Sequence, residues 1–502
     1  MLPPHARRCL CAFVLLLSAV ALLARPVEAQ PAATAAPAAT AATAAAATPV
    51  ATDAEVQGAV RLFTAWLEGQ LLYRHLPGVA VGVVADQQLV WSKGFGFADV
   101  AQKTPMTPQT KFRMASHSKL FTATAVMQLR EQGKLRLDDP VAKYLPWFRV
   151  KHAADEDPEI TIEELLTHTS GLPREAGSHW TTFDFPTTEE LRALMADRQA
   201  PFSPEVRWKY SNLAYSVAGL VVEAVSGQRW ADYVQQHIYQ PLGMTSSSVD
   251  TNVAGLATGY NRLLPDNTRA TNPFIDAKGM AAATGITSTV DDMARFASAQ
   301  FRTGRRGGAN ILSTGSLREM HRIRVLESNW TQGNAIGFAV RRERDKVYVS
   351  HGGSYPGYQT QTMLYPEGKV AVIVLTNADD GNPGGIATQL MNTVGEAVAR
   401  ATAPRPESTT TSWDPSWSRF AGLYRGRGGE SQVIELNKRL VVITPNAPNL
   451  DNPVRLEPMG NGQFRYTAPT GGGPVGEVVR FEEVNGRVVR MHTGDSYVER
   501  VQ

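Results

Sequence analysis

The chain places its strand-like segments at the two ends of a long region and its helix-like segments between them. Apolar runs at 79–84 and 89–91, separated by the polar turn 86–88, have the pattern of a β-hairpin. Strand patterns return at 335–340, 347–350, 359–365 and 370–375, followed by a helical stretch at 386–401. This order predicts an α+β fold, in which an antiparallel sheet joins the first hairpin to the late strands and is flanked by helices with a helical subdomain.

Capping signals locate several helices of this region. Thr52 and Asp53 are suitable caps for a helix that follows them. The run Thr161-Ile162-Glu163-Glu164 fits a capping box, and Gly171 is expected to end the helix that begins there. We expect these helices to belong to one domain that covers residues 53–402.

The pattern changes beyond the linker at 403–412. Residues 413–502 alternate short strand patterns with turn signals at Asn437-Lys438, 460–462 and Asn485-Gly486. They predict a separate all-β accessory domain, either a small barrel or a sandwich. The Gly-rich run 471–476 formally matches a dinucleotide-binding fingerprint, but a strand pattern follows it instead of a helix, and we interpret it as a loop.

The first 29 residues have the features of a secretory signal peptide. Arg7 and Arg8 precede an uncharged apolar run at 9–24, and Val27-Glu28-Ala29 is a small-x-small cleavage site. The run is shorter than the ~20 residues that span a bilayer, which disfavours the alternative of an uncleaved anchor. Residues 30–52, rich in Ala, Thr and Pro, predict a disordered spacer. We therefore expect an exported protein, either periplasmic or secreted.

Composition excludes several functions. Both cysteines, Cys9 and Cys11, lie in the predicted signal peptide, so the mature chain is expected to have no disulfide, Cys-ligated metal or Cys nucleophile. The formal net charge is only +3, and the basic residues form no continuous stripe. Both features argue against a nucleic-acid partner. The sequence contains no His-Glu-x-x-His motif, and we expect neither a metal nor another cofactor. No run after the signal is long enough for a membrane span.

The strongest chemical signal is a Ser-x-x-Lys motif at the start of a predicted helix. Ser116 and Lys119 lie three residues apart, a spacing that places both side chains on one helix face. A serine hydroxyl needs a neighbouring base to become a nucleophile, and a lysine can be that base if its pKa is lowered. The helix N-terminus would also stabilise developing negative charge. On its own the motif could still arise by chance.

Two further motifs carry polar side chains suited to the same chemistry. Tyr210 and Asn212 form a Tyr-x-Asn motif at the start of another predicted helix, where the phenol could relay a proton and the amide could bind an amide of the substrate. The run His351-Gly352-Gly353-Ser354 follows the predicted strand 347–350, and its glycines would let a substrate backbone approach the strand. Each motif also has an ordinary structural interpretation, as a helix cap and a hairpin turn.

Ser-x-x-Lys, Tyr-x-Asn and His-x-Gly in this order resemble the serine β-lactamase and penicillin-binding-protein superfamily. Within it the chain is similar to the class C β-lactamase branch, with its family VIII esterases, D-aminopeptidases and D-Ala-D-Ala carboxypeptidases. The resemblance extends over residues 53–402 and includes the stretches 93–99, 165–172, 241–244 and 285–293. It implies that Ser116 is the acylated nucleophile, that Lys119 accepts its proton and that Tyr210 assists proton transfer to the leaving group.

The resemblance also implies an oxyanion hole formed by the backbone N–H groups of Ser116 and Ser354. Asn212, His351, Gly352 and Gly353 would contact the substrate. True β-lactamases usually have Lys-Thr-Gly where this chain has His351-Gly352-Gly353, and the missing lysine and threonine weaken binding of a substrate carboxylate. We regard 165–172, including His168, as scaffold.

These observations predict an exported serine hydrolase that acts through an acyl-enzyme on amide or ester bonds. Its substrate would be a small molecule or a peptide. A true β-lactamase, or a catalytically idle protein that recognises cell-wall peptides, remains an alternative. The sequence does not indicate the oligomeric state.

Overall fold

The computed structural model describes residues 50–196, 198–249, 253–302, 310–343, 345–403, 413–445, 454–467 and 475–501. The predicted signal peptide, most of the spacer, nearly all of the linker and most of the Gly-rich loop lie outside these residues. The predictions made for those segments, and the domain boundaries, stay predictions. No helix within the described ranges has the length and apolar character needed to cross a membrane.

Eleven strands in the described part of residues 50–403 form one large sheet and one short pair. The strands are β1 Gly78–Ala85, β2 Gln88–Asp99, β3 Thr104–Pro105, β4 Phe112–Arg113, β5 Thr287–Ser288, β6 Val325–Leu326, β7 Gln332–Asn334, β8 Ala339–Glu343, β9 Lys346–Tyr355, β10 Tyr358–Tyr365 and β11 Val370–Thr376. The large sheet has the order β3-β2-β1-β11-β10-β9-β8-β7-β6, and β4 pairs with β5. Neighbouring strands that pair in the large sheet are antiparallel.

The centre of the sheet is the pairing of β1 with β11. The register runs from Val79 opposite Thr376 to Ala85 opposite Val370. Every residue of both strands is buried. Because side chains alternate along a strand, β1 contributes to two hydrophobic cores, one on each face of the sheet. The predicted joining of the first hairpin to the late strands is therefore confirmed.

Helices cover both faces of this sheet and form a helical subdomain between β4 and β6. The helices are α1 Ala54–Arg74, α2 Ser118–Glu131, α3 Val141–Tyr144, α4 Ile162–Thr167, α5 His179–Thr182, α6 Thr188–Ala196, α7 Asn212–Ser226, α8 Trp230–Val234, α9 Gln240–Leu242, α10 Ala281–Thr284, α11 Val290–Gln300, α12 Thr314–His321, α13 Pro383–Leu390 and α14 Glu396–Thr402. Asp53 caps α1 by accepting hydrogen bonds from the N–H groups of Glu55 and Val56, and Thr161 and Glu164 form the predicted capping box of α4. The predicted α+β class is confirmed.

Two local predictions are wrong. The apolar segment 335–340 is not one strand, because β7 ends before it and β8 starts within it. The residues between form a turn with a 2.8 Å hydrogen bond from Ala335 N to Phe338 O, and Gly337 has a φ of +79°. Helix α4 ends at Thr167, four residues before Gly171, because His168 itself adopts the left-handed conformation of a helix C-cap. The turn at 335–338 is buried and has the apolar composition of a strand, whereas the helix ends early because a non-glycine residue takes the left-handed cap.

Residues 422–500 form a closed barrel in the described part of the C-terminal region. Its strands are β12 Gly422–Gly426, β13 Gly429–Glu435, β14 Leu440–Ile443, β15 Val454–Gly460, β16 Gln463–Thr467, β17 Val478–Val484, β18 Arg487–Thr493 and β19 Ser496–Arg500. Of the two architectures predicted for this region, the barrel is the one observed. Its core is built around side chains such as Tyr424, Phe464 and Val479.

Removal of the barrel should leave the larger domain folded. The two cores of the sheet contain no residue beyond 399, and the barrel has a core of its own. We expect a protein truncated after Ser412 to keep a cooperative thermal unfolding transition and to react with a fluorophosphonate at Ser116. The truncated Ser116→Ala protein is the control. A folded truncated protein that does not react would contradict this prediction.

Candidate active site

Ser116 lies in a strained turn that leads into α2. Residues Ala115–His117 form a single 3₁₀ turn directly before the helix. Ala115 is fully buried and has a φ of +49°, a conformation that costs a non-glycine residue about 1–3 kcal/mol. The strain is held by a local hydrogen bond from Ser118 Oγ to Ala115 O (2.8 Å) and by a tertiary one from Met114 N to Ile286 O (2.9 Å). The turn therefore fixes the position of the predicted nucleophile.

Lys119 extends from the first turn of α2 and is completely buried. Its Nζ lies 3.1 Å from Ser116 Oγ, 2.7 Å from Asn212 Oδ1 and 2.9 Å from the carbonyl oxygen of Ala283. A lysine ammonium has three N–H donors, so these contacts use all of them. The helices α2, α7 and α10 thus meet at this one nitrogen.

The side-chain amide of Asn212 has one possible orientation. Its Oδ1 accepts from Lys119, and its Nδ2 donates to Glu175 Oε1 at 2.6 Å. The carboxylate of Glu175 can only accept, so the amide nitrogen must face it and the amide oxygen lies on the lysine side. Both ends of the amide are therefore engaged by protein groups. The predicted substrate contact of Asn212 stays a prediction, and in the structure the amide positions Lys119.

The environment of Lys119 favours its neutral form. Burial lowers the pKa of Lys119 well below its usual value; the negative charge of Glu175 opposes this and the positive charge of Arg174 adds to it. A neutral amine keeps two N–H donors and gains one lone pair. If the two donors remain on Asn212 Oδ1 and Ala283 O, the lone pair points to Ser116 Oγ. This geometry suits removal of the serine proton.

Tyr210 approaches Ser116 from the loop before α7. Its hydroxyl donates a 2.8 Å hydrogen bond to Ser116 Oγ. Burial raises the pKa of Tyr210 to about 12, although the hydrogen bond to Ser116 and the charge of Arg174 act in the opposite direction. The phenol is therefore protonated near neutral pH, and it can donate a proton more readily than it can accept one. The structure brings Ser116, Lys119 and Tyr210 together, as their motifs predict.

His168 forms the wall behind Tyr210. The two rings lie with centroids 4.4 Å apart, and His168 Nδ1 accepts a 3.1 Å hydrogen bond from the backbone N–H of Ser211. Burial lowers the pKa of His168 well below its usual value, and the charge of Lys119 lowers it further. A neutral, fixed imidazole is consistent with the interpretation of 165–172 as scaffold.

The run His351–Ser354 lies within β9, although the sequence predicts it just beyond a strand end. Gly352 pairs with Gln361 and Gly353 with Thr360 of β10. A Cβ atom on Gly353 would lie 2.2 Å from the carbonyl oxygen of Met114, the residue that precedes the strained turn. This glycine therefore allows β9 to pack directly against the backbone that carries Ser116.

The imidazole of His351 is neutral at this position. Its Nδ1 lies 2.7 Å from Gly352 O, which requires the nitrogen to carry the proton. Burial lowers the pKa of His351 to about 3, and the proximity of His117 and Lys119 adds to the effect. His117 lies behind it, with Nε2 3.0 Å from Thr362 Oγ1, and burial lowers its pKa to about 4. The strand therefore presents no positive charge where Lys-Thr-Gly relatives have a lysine.

Strand β9 has a free edge beside the nucleophile. The pairing with β8 runs from Lys346 to Ser350 and stops there, whereas the pairing with β10 continues to Tyr355. Ser116 and Ser354 line the same cavity at this edge. That location is compatible with an oxyanion hole formed by their N–H groups, which stays a prediction.

Two adjoining cavities meet at Tyr210. One has a volume of about 590 Å³, and its lining includes Tyr210, His351 and Gly352. The other has a volume of about 1000 Å³, and its lining includes Ser116 and Ser354 in addition to Tyr210 and Gly352. Among the residues that the structure describes, no group of three or more His, Cys, Asp or Glu side chains is arranged to hold a metal ion.

Sequence reasoning missed two groups of the site. Glu175 orients Asn212 and also contacts His179 Nε2 at 3.1 Å, but a lone acidic residue in a loop carries no motif. The hydrogen bonds to Glu175 from His179, Trp180 and Asn212 hold its pKa below the usual value, although burial, the largest single influence, raises it. The carbonyl of Ala283 is a backbone group, and no residue type identifies it in advance.

Comparison with protein families gives a match to the family described as Beta-lactamase over residues 60–391. Among curated proteins, the chain is 27% identical over 311 residues to penicillin-binding protein 4* of Bacillus subtilis (strain 168). That alignment covers 58% of this chain and 66% of the relative, so it spans just under two thirds of the relative's own length.

Solved structures give the same picture. The octameric penicillin-binding protein homologue from Pyrococcus abyssi has a TM-score of 0.60 and 25% identity, with 88% of this chain and 99% of that chain covered. EstCE1, a hydrolase with promiscuous acyltransferase activity, has a TM-score of 0.58 and 25% identity, with 68% of this chain and 99% of that chain covered.

The two glycines of β9 should differ sharply in their tolerance of a methyl group. In Gly353→Ala the new Cβ meets the Met114 carbonyl, which can move only with the turn that carries Ser116. We expect a loss of about 1–3 kcal/mol in the free energy of unfolding and a decrease of roughly a hundredfold in kcat/KM. In Gly352→Ala the methyl meets Gln361 Oε1 at 2.8 Å, the far end of a flexible side chain, so this control should leave the free energy of unfolding nearly unchanged. Thermal melts and ester kinetics measure both; equal effects in the two variants would contradict the prediction.

The charge of Glu175 should set the pH at which the site becomes active. Glu175 raises the pKa of Lys119, so Glu175→Gln favours the neutral amine at lower pH while it keeps the side-chain shape. If kcat/KM rises as Lys119 loses its proton, the acidic limb of the pH profile should move to lower pH in this variant. Exposed Glu189 on α6 provides the control, because Glu189→Gln should leave the limb in place. An unchanged limb, or one moved to higher pH, in Glu175→Gln would argue against Lys119 as the base.

Proposed function

The chain belongs to the beta-lactamase family, and on this basis we propose that it is a serine hydrolase that cleaves ester or amide bonds through an acyl-enzyme on Ser116. The observation that carries the proposal is the arrangement around Ser116 Oγ. Lys119 Nζ lies 3.1 Å from it and Tyr210 OH lies 2.8 Å from it. One group is suited to accept a proton and the other to donate one.

The reaction follows from these two protonation states. Neutral Lys119 accepts the proton of Ser116 as Oγ attacks the carbonyl carbon of the substrate. The N–H groups of Ser116 and Ser354 stabilise the oxyanion that forms. As the intermediate collapses, the phenol of Tyr210 donates its proton to the leaving oxygen or nitrogen, and the Lys119 ammonium returns a proton to Tyr210. The leaving group thus carries the proton that Tyr210 held, and a proton from the Lys119 ammonium replaces it on the phenol.

A water molecule then replaces the leaving group beside Tyr210. It attacks the acyl carbonyl, and the same two groups carry one of its protons back to Ser116 Oγ. The acid product leaves, and the enzyme returns to its starting state. Every proton in this cycle moves between groups that lie around one oxygen atom, so the reaction needs no further ionisable residue.

Small esters and peptides with D-residues are the substrates we propose, with β-lactams turned over poorly. A β-lactam carboxylate would meet the neutral imidazole of His351 and the bare backbone of Gly352 on β9. The cation–carboxylate hydrogen bond of the Lys-Thr-Gly relatives is worth about 1.5–3 kcal/mol. The absence of this hydrogen bond corresponds to a value of kcat/KM for β-lactams that is roughly tenfold to a hundredfold lower. EstCE1 among the similar structures is a hydrolase with promiscuous acyltransferase activity, which supports acyl transfer as the reaction type proposed here.

The buried lysine also argues against an idle binding protein. Complete burial of an amino group disfavours its charged form and is unfavourable for folding unless the group has a partner or a role. A binding protein would gain nothing from a base next to a serine. We further propose export to the periplasm or the medium, on the strength of the signal-peptide features of residues 1–29.

Substitution of the nucleophile and the base tests this function. Ser116→Ala should reduce hydrolysis of every substrate by many orders of magnitude, roughly 10⁶-fold as for other catalytic serines. Lys119→Arg should be nearly as inactive as Lys119→Ala, because a guanidinium stays protonated and cannot accept a proton.

The measurements are hydrolysis of p-nitrophenyl esters, D-amino-acid anilides and a chromogenic cephalosporin, with mass spectrometry of a phosphonate adduct. An active Ser116→Ala protein or an adduct on another residue would refute the proposal. Efficient cephalosporin hydrolysis by the unmodified protein would place it among the true β-lactamases instead.

A further inference from the structure

We propose that the 590 Å³ cavity beside Tyr210 binds the leaving group of the substrate, and that this enzyme therefore prefers esters or amides whose alcohol or amine carries a large apolar group. The inference rests on the proposed function, because it assigns the two sides of the scissile bond to two cavities. We refer to the 590 Å³ cavity as the apolar cavity and to the 1000 Å³ cavity as the polar cavity.

The position of the reacting groups decides which part of the substrate enters which cavity. Ser116 and Ser354, which bind the acyl carbon and its oxygen, line the polar cavity and do not line the apolar one. Tyr210, which protonates the leaving atom, lines both. A substrate held with its carbonyl oxygen at the N–H groups and its leaving atom at the phenol therefore extends from Tyr210 into the apolar cavity.

The walls of the apolar cavity are suited to an aromatic or branched alkyl group. Seven of its lining side chains are apolar or aromatic and at most 6% exposed: Leu166, Tyr215, Ala335, Phe338, Val340, Tyr348 and Met363. Its charged lining residues are Glu327 and Arg341. Transfer of an apolar group from water to such a surface is favourable in proportion to the area buried. The volume is also in the range of cavities that enclose whole drug-sized ligands, far more than a methyl or ethyl group needs.

The polar cavity differs from the apolar cavity in its charged and amide groups, while Trp180, Phe183 and Tyr355 give part of its wall an aromatic surface. Its lining includes Arg174, Glu175 and Asp379, together with the amides of Asn261, Asn272, Gln359 and Asn382. A long apolar acyl chain placed there would remove these groups from water without offering them hydrogen bonds. The contrast between the cavities therefore assigns the apolar bulk of the substrate to the leaving group and not to the acyl group.

Three esters, two acetates and one phenylbutanoate, test whether the apolar group is bound on the leaving-group side or on the acyl side. Propyl acetate is the reference, 3-phenylpropyl acetate adds a phenyl ring to the leaving group, and propyl 4-phenylbutanoate adds a phenylethyl group to the acyl group. The leaving alcohols have nearly the same acidity, so differences in kcat/KM report binding in the transition state. We expect 3-phenylpropyl acetate to be hydrolysed about tenfold to a hundredfold faster than propyl acetate, as burial of one aromatic ring provides.

Substitutions that fill the apolar cavity from two different elements locate the effect. Thr388 is on α13 and exposed Ala339 is on β8, and both line the cavity. In Thr388→Phe and Ala339→Trp the ratio of the two acetate rates should fall to about threefold or less. The control is Thr393→Phe. Thr393 is also half-buried and its Oγ1 also donates to the carbonyl four residues before it, but it lines neither cavity, so the ratio should stay as in the unmodified protein.

The outcomes separate this inference from the proposed function. Equal rates for the two acetates, or a preference for propyl 4-phenylbutanoate that the filling substitutions remove, would overturn the inference while the function stands. Failure of Ser116 to react with a phosphonate would contradict the function itself. A leaving-group preference that disappears in both filled variants and persists in Thr393→Phe would establish the assignment.

Discussion

The site depends on one buried amino group. Lys119 Nζ has no access to water, so its charge and orientation are set entirely by the protein atoms around it. Asn212 Oδ1 and the carbonyl of Ala283 provide two acceptors, and Ser116 Oγ occupies the third direction. These groups come from α2, α7 and α10, so the base is correctly placed only when the helical subdomain is fully packed. Catalytic competence is thus a property of tertiary packing and not of the Ser-x-x-Lys segment alone.

The second constraint links this nitrogen to the sheet. Ala115, the strained residue, directly precedes Ser116 in the chain. Met114, which directly precedes Ala115, is in close contact with Gly353 of β9. The strand that carries one predicted oxyanion donor is therefore packed against the backbone that carries the other. Because packed interiors are close to rigid, the two donors and Ser116 Oγ keep a fixed separation. A displacement of β9 would disturb the nucleophile and the donor together.

Much of this arrangement is predictable from the sequence. Two strand regions that flank a helical region require a shared sheet, and each of the Ser116 and Tyr210 motifs comes directly before an amphipathic helix that fixes its direction. What the sequence does not reveal depends on contacts between distant residues. Glu175 has a role only because the fold brings it to Asn212, and Gly353 is required only because Met114 lies opposite. The turn at 335–338 is hidden for another reason: it is buried, and buried turns are as apolar as strands.

The pairing of β1 with β11 at the centre of the sheet has a consequence for the order in which the molecule assembles. These strands are separated by almost the whole catalytic domain, since Val79 pairs with Thr376. Because the ribosome synthesises a chain from the N-terminus to the C-terminus, β1 cannot pair with β11 until the residues up to about 376 have been made. Contacts of such long sequence separation slow folding, because the closure of the intervening loop must precede their stabilising energy. The turn that carries Ser116 packs against β9, and β9 also joins the sheet only after the late residues have been made. The proposed active site is therefore complete only after nearly the entire domain has been synthesised, and a nascent or truncated N-terminal fragment carries Ser116 and Lys119 without the strand that packs against them.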